Sequence, residues 1–222
     1  MAYETHSGFR GHVEVGHGAN GAANVRRSRH FLKRRPSDTV FGMSSLVELQ
    51  RIIPGLRVEL RYATDRNFVG RVLYPSNRAW LVEPVARRLS DAESMARRNG
   101  MALKVWDAYR PTTVHRRLWE ARPDPRYVAP PERGSRHNRG ASVDVTLVDL
   151  SSGLDLDLGT DFDDFDSPAA ASGAVDLPEQ VLVRRRLLRG WMEAAGFVGI
   201  ASEWWHFDAV DWDSYPVWDE PV

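Results

Sequence analysis

The 222-residue chain contains no cysteine. That excludes disulfides, thiolate nucleophiles and Cys-ligated zinc or iron-sulfur centres, so any metal must be held by His, Asp or Glu. It has no excess charge of either sign, with 30 Lys and Arg against 30 Asp and Glu. Wholesale binding to nucleic acid or anionic lipid, which needs a basic surplus to displace counterions, is therefore not expected. No apolar run approaches the roughly 18 residues of a membrane span, and the N-terminus has charge without the apolar stretch of a secretory signal. These features set the expectation of a cytoplasmic protein with no nucleic-acid or membrane partner. The rest of the composition, 42% hydrophobic and 27% charged, is that of an ordinary globular chain.

Residues 1–44 carry seven basic and three acidic side chains, many glycines, and four of the chain's seven histidines (His6, His12, His17, His30). With no sustained period, this segment reads as a disordered basic tail, and Met43 is a candidate start. Residues 45–222 read as one domain. Alternation at Leu56, Val58, Leu60 and Tyr62 predicts a strand, and a loop follows over 63–77. Pro84 to Asn99 has helical spacing, closed by Gly100. Met101 to Ala108 alternates again and ends at a Tyr109-Arg110-Pro111 corner, after which a short helix is expected over 112–119.

The Pro-, Arg- and Gly-rich stretch 121–139 reads as a surface connection leading into a strand over 141–150. Asp155 to Asp166 holds six aspartates in twelve residues, but Thr160 and Asp166 stand where a calcium-binding loop needs Gly and Glu. Leu177 to Gly196 has a helical pattern, and a last strand is expected over 205–210. Strands and helices do not alternate strictly, so the expected class is α+β: a small, mostly antiparallel sheet flanked by helices, with the metal site on the sheet.

Outside the tail only His115, His137 and His206 remain. His115, between arginines on a short helix, reads as a solvated surface residue. The other two sit in dense polar clusters, Ser135-Arg136-His137-Asn138-Arg139-Gly140-Ala141-Ser142-Val143-Asp144 and Glu203-Trp204-Trp205-His206. His137, Asp144 and His206 make up the ligand set of a catalytic zinc, which keeps three protein ligands and an open fourth position. Glu203 is left as a base to take the proton from water that zinc brings to a pKa of about 7. Residues three apart on a strand face opposite ways, so Glu203 and His206 share a site only if the chain bends at Trp204 and Trp205, whose rings would wall it. The alternative is structural: each histidine is a hydrogen-bonded core or surface residue, and Asp144 pairs with Arg136 or Arg139.

At these positions the sequence resembles the zinc D-alanyl-D-alanine dipeptidases, the VanX-like enzymes, within a wider group that includes D,D-carboxypeptidases and hedgehog-like domains. Ser135, His137, Gly140 and Asp144 follow the pattern S-x-H-x-x-G-x-A-x-D, with Ser142 in place of the usual Ala. Glu203, Trp205 and His206 follow E-x-W-H. The resemblance runs from about Val58 to Ala209 through Arg61-Tyr62-Ala63-Thr64, Asn67-Phe68-Val69-Gly70, Asp107-Ala108-Tyr109-Arg110-Pro111 and Gly159-Thr160-Asp161-Phe162-Asp163.

The resemblance implies one Zn2+ per chain on His137, Asp144 and His206, Glu203 as general base and then acid, and Arg110 on the oxyanion. Arg110 precedes Pro111, which favours an extended backbone that aims the guanidinium into a cleft; the alternative is an ion pair with Asp107. The implied substrate is the small dipeptide D-Ala-D-Ala. Asp163, with Tyr62 beside it, is the candidate for the substrate ammonium, and Ser135 for its carboxylate; alternatively Asp163 is one solvated charge among its acidic neighbours. Competing functions are a D,D-carboxypeptidase acting on peptidoglycan stems and a non-catalytic zinc domain binding cell-wall peptides. Nucleic-acid binding through the tail and the arginines near 133–139 is weaker still, because nothing resembles a reading helix.

Overall fold

A computed structural model describes residues 45–221. The basic tail and the candidate start Met43 lie outside the described residues. The main sheet contains β2 (Arg57–Val58), β4 (Met101–Asp107), β5 (Ser142–Asp149), β6 (Phe197–Gly199) and β7 (His206–Ala209), in the order β2-β4-β5-β7-β6. Only β2 and β4 run parallel. A second, two-stranded antiparallel sheet pairs β1 (Leu46–Glu48) with β3 (Trp80–Val82). The helices are α1 (Leu49–Ile52), α2 (Glu83–Arg98), α3 (Thr112–Ala121) and α4 (Glu179–Ala194). The expected α+β class holds.

Helix α2 starts with Pro84 in its first turn, where no donor is lost, and buries Val85, Ala86, Leu89, Ala92 and Ala96 against β4. Its buried Glu93 accepts hydrogen bonds from the Leu103 amide and Arg97 Nε, both at 2.6 Å, tying the helix to β4. Helix α4 contacts α2, β5 and β6. Leu103, Val105, Val143, Val145, Leu147 and Phe207 alternate along their strands and belong to the buried core. The intervening strand positions Ser142, Asp144, Thr146, His206 and Asp208 are polar yet buried. One sheet face is therefore apolar and the other carries a polar array.

A register break shapes that array. Val105 pairs with Val145, but Asp107 pairs with Asp144, and Asp144 in turn with His206. The bulge at Trp106 re-aims Asp107, so that Asp107, Asp144 and His206 form one lateral row across three strands. Ser142 and Asp208 make the next row.

The expected strand over Leu56 to Tyr62 is cut short. Ladder pairing stops at Val58, because the Asn77 side chain accepts from Leu60 N (2.7 Å) and donates to Val58 O (2.8 Å). Residues Arg61–Ala63 then form a single 3-10 turn that buries Tyr62. The apolar alternation there reports burial more than sheet pairing.

Candidate active site

The two histidines reach one point from different elements. His137 lies in a 3-10 turn, Arg136–Arg139, capped by Ser135, whose Oγ accepts from His137 N at 3.2 Å. Asn138 locks this turn to the Arg110 corner by donating from Nδ2 to Arg110 O (2.7 Å), while Arg110 N donates to His137 O (3.1 Å). Gly140 ends the turn at φ 61, and a Cβ there would lie 2.7 Å from Leu46 Cδ2 and 3.1 Å from Val82 N. Only glycine satisfies both the left-handed backbone and that approach. Asp144 and His206 come from β5 and β7.

The tautomers follow from the partners. His137 Nδ1 lies 2.7 Å from Ala108 O, a carbonyl that can only accept, so Nδ1 carries the proton and Nε2 a lone pair. His206 Nε2 lies 2.9 Å from Asp208 Oδ1, which assigns a proton to Nε2 and turns Nδ1 inward. There, His206 Nδ1 is 2.9 Å from Asp144 Oδ1 and 3.2 Å from His137 Nε2. The ligand atoms of His137, Asp144 and His206 all lie within 4.8 Å of one another. Two nitrogen lone pairs and a buried carboxylate this close repel unless a cation sits among them, so the donor set fits a divalent metal.

The titration directions agree. Burial opposes ionisation of Asp144, yet the neighbouring imidazoles hold its carboxyl far below the usual range. Burial pushes His206 down, but its hydrogen bonds to Asp144 and Asp208 outweigh that and raise it well above its ordinary value. A metal cation bound at Nδ1 would take the place that a proton favours there.

A cavity of about 340 Å³ opens over these three residues, lined also by Tyr62, Phe68, Arg110, Ser135, Asp163 and Glu203. Glu203 is half-buried, and burial raises its carboxyl to about 7. Arg110 is buried; its Nε and Nη2 donate to Asp107 Oδ2 at 2.9 and 2.6 Å, and its guanidinium lies 5.0 Å from the centre of the Tyr62 ring. The expected cleft position and the alternative Asp107 pair are both present. Asp163 is not a solvated charge: it is 9% exposed, sits at φ 59, and accepts from Tyr62 Oη at 3.0 Å. Burial, then the charges of Asp144 and Glu203, push its carboxyl well up.

Several expectations need correction. The chain does turn at Trp204 and Trp205, but their rings do not line the cavity; they pack behind it, against Trp106 and against Phe162 and Phe165. Asp144 pairs with neither nearby arginine, because Arg136 bonds Asp208 and Arg139 bonds Tyr215 O. His115 is not a surface residue. It is 2% exposed, lines the cavity, and lies with Nε2 2.9 Å from Ala129 O, which burial couples to a pKa lowered to about 4. Position on a short arginine-rich helix concealed that it faces inward beside Val114 and Leu118. Asp208 escaped sequence reasoning too, although a residue two beyond His206 on a strand must share its face.

Residues 43–218 match the family model described as D-ala-D-ala dipeptidase. The D-alanyl-D-alanine dipeptidase of Escherichia coli is 39% identical over 174 residues, covering 78% of this chain and 89% of that protein. The protein of the same name from Enterococcus faecalis is 33% identical over 190 residues, covering 76% and 92%. A solved structure of VanYB in complex with D-alanine-D-alanine aligns with a TM-score of 0.40 at 17% identity, covering 73% of this chain and 83% of that one, a likeness too distant to bear on the site. By the extent of the family match and the identity to these relatives, the chain belongs to the D-Ala-D-Ala dipeptidase family.

Proposed function

We propose that this chain is a zinc metallopeptidase that hydrolyses the dipeptide D-Ala-D-Ala to two molecules of D-alanine, with one Zn2+ held by His137, Asp144 and His206. The observation that carries the reading is the convergence of His137 Nε2, His206 Nδ1 and Asp144 in a cavity that also holds Glu203. Its curated relatives bear the name of this activity. When bound, zinc acts as a Lewis acid that polarises the scissile carbonyl and acidifies water.

Glu203 takes a proton from the attacking water and delivers it to the leaving amine. A carboxyl raised to about 7 suits both directions of transfer near neutral pH. Arg110 stabilises the developing oxyanion. Asp107 occupies its Nε and Nη2, so the guanidinium is fixed before substrate arrives and Nη1 remains for the substrate. Asp163 receives the substrate ammonium, with Tyr62 Oη holding its second side. An incoming cation favours the ionised form of an acid whose surroundings otherwise disfavour it. Ser135, at the cavity wall beside His137, binds the substrate carboxylate.

Asp163 favours the dipeptide over a peptidoglycan stem, in which no free ammonium lies next to the scissile bond. Glu203 and Arg110 favour catalysis over a zinc domain that only binds, since binding needs neither a base nor an oxyanion clamp. A free dipeptide as substrate agrees with a cytoplasmic setting, which belongs to this proposal. The test is release of free D-alanine from D-Ala-D-Ala by purified protein, with N-acetyl-D-Ala-D-Ala as control. Turnover abolished by chelator and restored by Zn2+ is expected. No release from the dipeptide, or release indifferent to chelator, would refute the assignment.

A further inference from the structure

The zinc reading leaves one buried acid without a role. Asp208 is fully buried on β7, on the far side of the His206 ring from the three converging ligand atoms. Its Oδ1 accepts two hydrogen bonds, from His206 Nε2 at 2.9 Å and from Ser142 Oγ at 2.6 Å. Its Oδ2 is bonded by Arg136 Nη1, and the Arg136 guanidinium rests 4.4 Å from the centre of the Trp212 ring. Ser142 and Asp208 face each other across paired strands, one row from Asp144 and His206.

Three donors thus converge on one carboxylate, which has no freedom to turn away. A buried carboxylate tolerates this position because Arg136 neutralises it. The His206 ring is then pinned with its proton outward, on Nε2, and its lone pair inward. His137, by contrast, is pinned by a neutral backbone carbonyl. The two imidazoles are therefore unequal: His206 donates directly to a carboxylate, whereas the acid nearest to His137 Nδ1, Asp107 Oδ2, lies 3.7 Å away and is bonded by Arg110, which makes His206 Nδ1 the more electron-rich ligand.

We infer that Asp208 is a positioning residue that sets the coordinating nitrogen of His206 and its strength as a metal ligand, and that Ser142 tempers it. The Ser142 hydroxyl shares Oδ1 with the His206 N–H, so it draws off part of the electron density that Oδ1 otherwise offers the ring. Arg136 holds the other oxygen, so loss of the hydroxyl leaves the carboxylate oriented. The inference rests on the zinc reading above and concerns how firmly the metal is held.

The test is the zinc dissociation constant, measured by competition with a chromophoric chelator, together with the visible spectrum of the Co2+-loaded protein as a report on ligand geometry. Asp208→Asn keeps size and shape but removes the charge; zinc is expected to bind about 10–100-fold more weakly, with an altered Co2+ spectrum. Ser142→Ala is expected to act in the opposite direction, with zinc held about two- to tenfold more tightly, the worth of one shared hydrogen bond. A residue that served only the fold would move thermal stability without these opposed shifts. An Asp208→Asn protein within about twofold of wild type, or a Ser142→Ala protein that binds no tighter, overturns the inference. Should Asp208→Asn not fold, Ser142→Ala decides alone. Wild-type protein that binds no zinc overturns the metal reading and this inference with it, whereas normal wild-type binding with unresponsive variants overturns only this one.

Discussion

Arg110 is the residue at which the structural role and the proposed catalytic role are most entangled, and its replacement separates them. The guanidinium makes two hydrogen bonds to Asp107, which is 0% exposed and also accepts from Tyr74 Oη at 2.6 Å. Arg110→Ala therefore does two things. It leaves a buried carboxylate without its cation, a change that typically costs about 3–5 kcal/mol of stability. It also removes the proposed oxyanion donor, worth about 2.7–4 kcal/mol in the transition state, or about 10²–10³ in kcat. The single variant is expected to show both losses.

The double variant Asp107→Asn/Arg110→Ala tells them apart. A neutral amide in place of the orphaned acid should recover much of the stability, measured as the urea midpoint, while kcat for D-Ala-D-Ala stays down by the same 10²–10³. KM should change less than kcat, because an oxyanion contact forms only in the transition state. If the double variant regains near-normal kcat, Arg110 acts only by neutralising Asp107. If Arg110→Ala alone keeps near-normal turnover, the guanidinium has no part in the reaction.

Other consequences can be read from the same cavity. Glu203→Gln should bind zinc as wild type does yet lose about 10²–10⁴ in kcat; unaltered turnover would remove Glu203 from proton transfer. Asp163→Ala should raise KM for dipeptides more than for N-acetylated substrates, and equal shifts for both would dissociate Asp163 from the substrate ammonium. His115 gives a pH signature. Its folded pKa of about 4 lies below the ordinary 6.5, so the unfolded chain takes up the proton first as pH falls. Stability linked to His115 is full above pH 6.5 and is lost between 6.5 and 4, by about 3 kcal/mol in all. Urea midpoints at pH 7.5 and pH 5 should fall further in wild type than in His115→Gln; equal falls would mean that the imidazole is not held neutral.

The long elements were legible because burial wrote a period into them. Helices α2 and α4 and strands β4 and β5 lie within a few residues of where apolar spacing puts them, and Gly100 and Gly196 close the two helices at positive φ. Strands β1, β3 and β6, three residues each, are too short to show any period. The His137, Asp144 and His206 cluster was legible for a different reason: once cysteine is absent, few imidazoles lie near acids. Hidden from the sequence were the contacts that depend on register. A one-residue bulge brings Asp107 into line with Asp144, and without it Asp107 would pair with Val143 and lie on the apolar face.

The same bulge places Arg110 where its proposed role needs it. Three residues after Asp107, the chain has left the sheet at the Pro111 corner, and Asp107 must already lie on the metal's side to hold the guanidinium there. His137 depends on this corner too, through Ala108 O behind its ring and the amide of Arg110 on its own carbonyl. The proposed metal ligand His137, the proposed oxyanion clamp Arg110 and the buried acid Asp107 are thus set by one irregularity in β4. Changes that straighten that strand should disturb zinc affinity and kcat together, although none of the residues altered need touch either metal or substrate.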